Sequence, residues 1–137
     1  MVRVEVLRKR LGKLNEYLGY LERLRHYSVE EFLAEPERYG SAERFLQLSI
    51  EALNDVGSHV ITDERLGAAE SSRDVPRLLH EHGLIDSAAA QSWMNMVGFR
   101  NILVHEYLDL DRRIVHDVLQ NHLDDLRTIA NAFGRYL

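Results

Sequence analysis

The sequence predicts an all-α fold, an antiparallel bundle of four main helices with short helices between them. Three observations lead to this prediction. Apolar residues recur at spacings of three and four over long stretches, as they do along one side of an α-helix. Capping residues, Pro and Gly separate these stretches by short connections, which favour antiparallel neighbours. No stretch combines the period of two with the turn residues of paired β-strands, and there is no internal repeat.

The first half of the chain is predicted to form two long helices with a short helix between them. Ser28-Val29-Glu30-Glu31 has the form of a capping box, so the short helix is expected to start there. Pro36 and Gly40 are expected to break the chain before Ser41 caps the second long helix, which would begin at Ala42. In the first long helix the expected buried positions are Val4, Leu7, Leu11, Leu14, Leu18 and Leu21. In the second they are Phe45, Leu48, Ala52, Val56 and Val60.

A polar loop over residues 63–72 leads into the second half, where a short helix, a long helix and a last helix are expected. Pro76 fits the first turn of the short helix, and Gly83 is its expected stop. Asp86 is the expected cap of the long helix, with Trp93 and Met96 facing inward. After a tight turn at Asp109 or Asp111, the last helix would bury Ile114, Val118, Leu119, Leu126, Ile129 and Phe133.

Length and composition fit one domain over residues 1–137 with an ordinary apolar content of 45%. The chain has no cysteine, so disulfides and thiolate metal sites are excluded. It has no apolar run long enough for a bilayer span and no secretion signal at its start, so we expect a cytoplasmic protein without membrane association. The net charge of −5 argues against a non-specific nucleic-acid coat, because such binding depends on Lys and Arg at many phosphates.

The segment Arg100–Tyr107 concentrates the chemistry of the chain. It holds a guanidinium, a carboxamide, an imidazole and a phenol within about two helical turns. Asn101 and His105 are four residues apart and share a face that points away from the apolar stripe of Met96, Phe99, Leu103 and Leu110. Arg100 and Tyr107, seven apart, are expected to share a second line. His80 and His82 diverge by about 200° on a helix and cannot chelate one metal ion.

The order of these residues resembles the signature of HepT-type toxins in the HEPN superfamily (higher eukaryotes and prokaryotes nucleotide-binding). The matching pattern is Arg, four residues, His, one residue, then Tyr, with Asn directly after the Arg. Residues 49–59, which end in Gly-Ser-His, resemble the second segment of the family, and residues 80–85 resemble the connection before the motif helix. The resemblance covers most of the chain and implies the same all-α fold.

The residue types of the motif suit metal-independent RNA cleavage without a cofactor. Imidazole is a side chain that titrates near neutrality, so His105 can take the 2′-hydroxyl proton or protonate the leaving 5′-oxygen. The guanidinium of Arg100 stays charged and can stabilise the transition-state phosphate, while Asn101 could orient the imidazole or contact the phosphate. A local cationic groove around Arg100, assisted by Arg112 and Arg113, would be the RNA contact.

Arg100 and His105 point about 140° apart on a straight helix, so one phosphate can meet both in two ways. The arginine side chain can curl around the helix, or two copies of the chain can meet across a two-fold axis. The resemblance implies the second arrangement, a homodimer with a composite cleft.

The resemblance also assigns a role to Tyr107. It implies the toxin of a type VII-like HEPN/MNT toxin–antitoxin pair, in which a minimal nucleotidyltransferase (MNT) antitoxin adds AMP to this tyrosine. The protein would then be an RNA endonuclease, a hydrolase of phosphodiester bonds, silenced by AMP in its groove. The alternative is a non-catalytic, nucleotide-dependent binding module that serves as the docking and modification partner of a nucleotidyltransferase. The acidic net charge favours the alternative, and the pairing of Arg with His favours the enzyme.

Overall fold

The computed structural model describes residues 1–137 and contains seven α-helices, two 3₁₀-helices and no strand, which confirms the all-α prediction. The helices are α1 (Val4–Leu24), α2 (Val29–Ala34), α3 (Pro36–Asp63), α4 (Asp74–Glu81), α5 (Ser87–His105), α6 (Arg112–Asn121) and α7 (Leu123–Asn131). The 3₁₀-helices span Tyr107–Asp109 and Ala132–Tyr136. None of the helices has the length and apolar character needed to cross a membrane.

Helices α1 and α3 pack along each other and supply more than a third of the residues of a single continuous core. The leucines of α1 recur at three and four, so they form one buried stripe as predicted. The first expected position, Val4, is exposed. The buried residues of α1 are Leu7, Leu11, Leu14, Leu18 and Leu21.

The start of α3 differs from the prediction. The capping box is confirmed, since Ser28 Oγ accepts from the Glu31 backbone and Glu31 Oε1 accepts from the Ser28 backbone. Helix α3, however, begins at Pro36 and runs through Gly40, so the predicted break and the start at Ala42 are wrong. Proline is well suited to the first helical position, where its missing N–H is not needed. A glycine inside a helix costs only about 1 kcal/mol, which the packing of a 28-residue helix outweighs.

The buried face of α3 is also rotated from the predicted one. Val56 and Val60 are buried as expected, but Phe45, Leu48 and Ala52 are only partly buried. Helix α3 contacts α1, α4, α5 and α6, so it carries more apolar residues than one stripe needs, and spacing alone does not show which line is innermost. The buried residues are Ala42, Leu46, Ser49, Ile50, Leu53, Val56, Gly57, Val60 and Ile61.

Gly57 marks the closest approach of α3 to its neighbours. A Cβ atom at this position would lie 2.5 Å from Val75 Cγ1 and 2.9 Å from Trp93 Cη2. The indole of Trp93 is fully buried, and its Nε1 donates to Asn54 Oδ1 at 2.7 Å. These contacts fix α5 against α3 and thereby set the position of the motif at the end of α5.

The predicted cap of α5 is confirmed, whereas the region that was predicted as a single last helix forms two helices. Asp86 Oδ1 accepts from the Ala89 backbone at 2.8 Å. The predicted last helix is divided at His122 into α6 and α7, and no Pro or Gly announces this break. His122 leaves the helical conformation and its Nδ1 lies 2.9 Å from Asp125 Oδ2 in the first turn of α7. In α6, Val115 is buried, whereas Ile114, which was expected in the core, is exposed.

Candidate ribonuclease site

Helix α5 ends within the motif. Its last residue is His105, and Tyr107 begins a separate 3₁₀-helix. The expectation that Arg100 and Tyr107 share one helical line is therefore wrong, because that geometry holds only along an unbroken helix. Asn101 and His105 do lie on the same exposed face of α5, as expected.

The guanidinium of Arg100 is held by α3. Its Nε donates to Glu51 Oε2 at 2.9 Å, and its Nη2 lies 2.8 Å from the same oxygen in an ion pair. Gln47 Nε2 also donates to this oxygen, at 3.0 Å. The side chains of Arg100 and Glu51 remain 30% and 38% exposed. A charge-assisted contact of this kind orients the guanidinium at the surface without removing it from solvent.

Asn101 meets Arg100 instead of His105. Its Oδ1 accepts from Arg100 Nη1 at 3.3 Å, while His105 is exposed and makes no hydrogen bond within the chain. The arginine thus reaches the edge of the face that carries the imidazole, but a single chain does not bring Arg100 and His105 into contact. Orientation of the imidazole by Asn101 is not seen in this structure.

An open cavity of about 280 Å³ lies between α3 and α5 beside Arg100. Its walls are mainly polar, with Ser58, Ser72 and Asn54 next to the guanidinium. Asn54 also anchors the connecting loop, because its Nδ2 donates to the carbonyl of Ser72 at 3.2 Å. The cavity can accept a polar group the size of a phosphate against Arg100.

Residues that contact the motif from distant parts of the chain escaped sequence analysis. Glu51 positions Arg100 from 49 positions away, and local spacing carries no signal for such a pair. Arg73 is a second example, since a methyl group at Gly98 would lie 3.1 Å from Arg73 Nη2. Gly98 is seven residues before His105 and so faces the same way on α5. The glycine at position 98, inside a predicted helix, was the sequence feature that could have indicated the close approach of Arg73.

Arg112 and Arg113, the other two cations that were expected to contact RNA, have different surroundings. Arg112 Nε donates to Glu43 at 3.1 Å, and its guanidinium lies 4.4 Å from the ring centre of Tyr39. Burial raises the pKa of Glu43, and the charge of Arg112 opposes that change. Arg113 is exposed and has no ionic partner in the chain. Neither residue lines the cavity beside Arg100.

Two further features of the surface bear on the earlier expectations. His80 and His82 bind different backbone carbonyls, those of Ile85 and Leu78.

Large apolar side chains are exposed close to the motif in the stretch 102–114, although the core is otherwise well filled. They are Ile102 at 40%, Ile114 at 53%, Tyr107 at 54% and Leu108 at 81% exposure.

This site lies on a fold that a known family shares. The family model described as "Ribonuclease HepT-like" matches residues 14–133, and the chain belongs to the HepT-like family.

The relatives carry nuclease names. The mRNA nuclease HepT of Shewanella oneidensis is 41% identical over 80 residues, which is 58% of this chain and 60% of that protein. The tRNA nuclease HepT of Aphanizomenon flos-aquae is 27% identical over 132 residues, or 96% of this chain and 90% of that protein.

A solved structure extends the similarity to the whole fold. It shows the tri-AMPylated HEPN toxin of Shewanella oneidensis in complex with an MNT antitoxin. It is 27% identical with a TM-score of 0.88 and covers 98% of this chain and 99% of that chain.

Proposed function

We propose that this protein is a toxin that cleaves RNA and is neutralised by a nucleotidyltransferase antitoxin. The observation that carries the proposal is the accessible Arg100–His105 segment, which ends α5 in a chain of the HepT-like family. Relatives of this family are named mRNA and tRNA nucleases, and a structural neighbour is a toxin–antitoxin complex.

The chemistry follows from the groups at the surface. The 2′-oxygen of RNA attacks the adjacent phosphorus while the bond to the 5′-oxygen breaks. His105 takes the proton of the nucleophile or returns one to the leaving oxygen, and its exposed imidazole is accessible to both. Arg100, held in place by Glu51 and Asn101, stabilises the charge on the phosphate oxygens. These steps require no metal ion.

A homodimer supplies the geometry that one chain lacks. Arg100 is drawn toward α3, whereas His105 lies free at the end of α5. The exposed apolar residues of 102–114 flank the motif, and exposed apolar patches of this kind mark interaction surfaces. Two copies that join there would place the imidazole of each chain near the arginine of the other in one cleft.

Tyr107 is the proposed site of AMPylation. Its side chain is 54% exposed on a short 3₁₀-helix directly after His105, and its hydroxyl makes no hydrogen bond within the chain. The phenol oxygen would form a bond to the α-phosphorus of ATP as the bond to pyrophosphate breaks, with release of the phenol proton. The attached phosphate would then compete with RNA for Arg100 and repel the substrate.

The catalytic proposal is tested by replacing the imidazole. We expect His105→Ala to lower the rate of RNA cleavage in vitro by roughly 10²- to 10⁴-fold, because a general acid–base group contributes about that much. Growth arrest on expression should disappear with it. His105 has no partner in the chain, so its circular dichroism and melting temperature should match the wild type.

Metal dependence is tested in the same assay. We expect wild-type cleavage to persist in excess EDTA, because His105 and Arg100 provide the acid–base and electrostatic functions.

Growth arrest that survives His105→Ala would contradict the ribonuclease and support the non-catalytic binding module.

The modification is tested by mass spectrometry after incubation with the cognate nucleotidyltransferase and ATP. We expect added AMP on the wild-type chain and none on Tyr107→Phe, because phenylalanine keeps the ring but lacks the accepting oxygen. Tyr136→Phe is the matched control and should keep the label. AMP that remains on Tyr107→Phe would place the modification on another residue.

A further inference from the structure

A second open cavity lies on the other side of α3 from Arg100. It is formed between α1 and α3 and has a volume of about 670 Å³, more than twice that of the cavity beside Arg100. Volumes of this size are typical of sites for small organic molecules and nucleotides. None of the motif residues lines this cavity.

The wall that α1 contributes is cationic. Lys9, Arg10 and Lys13 all line the cavity. The ammonium of Lys9 has no partner in the chain, and Lys13 makes only an exposed contact of 3.3 Å with Glu16. The first 13 residues hold five Lys or Arg and one acidic residue, although the whole chain has a net charge of −5. The start of the chain is therefore locally basic, and three of these five cations line this cavity.

The two cavities share a wall. Glu51 and Asp55 line both of them and form the ridge between Arg100 and the lysines. An acidic ridge would repel a polyanion, but each carboxylate is paired with an arginine, Glu51 with Arg100 and Asp55 with Arg10. A chain of phosphates that crosses the ridge thus meets a guanidinium on each side and then the free ammonium of Lys9.

The floor of the larger cavity is suited to bases. Val6, Leu48 and Ala52 provide apolar surface, and the ring of Tyr17 closes one end. Leu48 and Ala52 lie outside the buried stripe of α3, which explains why they are apolar without being fully buried. Cations along one wall and apolar or aromatic surface below are the combination by which single-stranded nucleic acid is held without sequence readout.

We infer that the cavity between α1 and α3 binds the nucleotides that flank the scissile phosphate of a single-stranded RNA. The inference rests on the proposed ribonuclease function and extends its site from Arg100 across α3 to Lys9 and Lys13. The motif residues perform the cleavage, and the cavity holds the strand in place. RNA affinity, and not the rate of the chemical step, is the property that the lysines control.

The test compares two double variants with the same loss of charge. Lys9→Ala/Lys13→Ala removes the cations of the cavity. Arg8→Ala/Arg44→Ala removes two exposed arginines that have no ionic partner and lie outside it. The probe is a fluorescein-labelled single-stranded RNA of mixed sequence. Its binding is measured by anisotropy in the His105→Ala background, and its cleavage is measured with His105 present.

For the lysine variant we expect Kd and KM to rise roughly tenfold at low salt, with the effect on KM and not on kcat. The slope of log Kd against log salt should become shallower by about 1.4, since each single-strand phosphate contact contributes about 0.7. The arginine control should stay near the wild type in both quantities.

If the two double variants have the same Kd and KM, the inference is wrong. The proposed function would still stand in that case, provided that the wild type cleaves RNA. A lysine variant that lowers kcat without a change in KM would also overturn it. If the wild type neither binds nor cleaves RNA, the proposed function fails first and the inference fails with it.

Discussion

At the scale of single residues, the orientation of Arg100 is decided by partners that are far away in the sequence. Glu51 accepts a hydrogen bond from its Nε and forms an ion pair with its Nη2, and Asn101 accepts from its Nη1, so the guanidinium is fixed at the surface before any substrate arrives. Such preorganisation is what electrostatic stabilisation of a transition state requires. His105 has no comparable support within the chain. The two proposed catalytic groups therefore differ in how far contacts within one chain orient them.

Gly57 provides the sharpest test of packing at this scale. We expect Gly57→Ala to destabilise the protein by about 1–3 kcal/mol, because the new methyl group would press against Val75 and Trp93, both of which are buried. The measurement is the free energy of unfolding in urea. Gly12→Ala is the control, since this glycine lies in α1 with nothing within 4 Å of its Cβ position.

The control should change stability in the opposite direction. Alanine is favoured over glycine inside a helix by up to about 1 kcal/mol, and at Gly12 no clash offsets this gain. Similar free energies for the two variants would show that α4 and α5 can move away from Gly57 at little cost.

At the scale of elements, α5 determines the site because both proposed catalytic residues, Arg100 and His105, belong to it. The side chain of Asp86 caps its N-terminus, and Trp93 packs its middle against α3. After its C-terminus the chain continues into the 3₁₀-helix that begins at Tyr107. The end of the helix at His105 separates the proposed catalytic face from Tyr107, the proposed modification site. This separation leaves the phenol accessible to an enzyme without unwinding α5.

The cap of α5 has a measurable contribution. We expect Asp86→Ala to lower the free energy of unfolding by about 1 kcal/mol, because the Ala89 backbone N–H loses its acceptor. Asp86→Ser should retain most of the stability, since serine is also a good N-cap. Thermal or urea unfolding of the two variants checks this, and equal losses in both would mean that the cap hydrogen bond is not what matters at Asp86.

At the scale of the whole molecule, different regions of the surface differ in charge and in apolar character. The first half of α1 is basic, the chain as a whole is acidic, and the exposed apolar side chains near the motif belong to residues 102–114. The basic region borders the larger cavity, and the apolar region borders the motif. One surface is thus suited to an anionic strand and the other to a second protein chain.

The proposed dimer leads to a prediction about assembly. We expect Ile102→Glu to convert a dimer to a monomer and to abolish RNA cleavage, because a charge on this exposed face of α5 would have to be desolvated on association. Analytical ultracentrifugation measures the mass of the species. Leu137→Glu is the control, since Leu137 is similarly exposed at the C-terminus and lies far from the motif in sequence.

A wild-type protein that sediments as a monomer, or an Ile102→Glu variant that stays dimeric and active, would contradict the two-chain cleft. In the first case Arg100 and His105 would have to act on one phosphate from a single helix.

The sequence by itself determined the class of fold, the buried stripe of α1, the caps at Ser28 and Asp86, and the candidate residues of the motif. These features depend on contacts within a few residues, where spacing and capping chemistry act directly. Only the tertiary structure decided that α3 runs through Gly40, that α6 and α7 separate at His122, and that Glu51 and Asn101 hold Arg100. The physical reason is that packing energy outweighs local preference, and that distant residues become neighbours only when the helices are assembled.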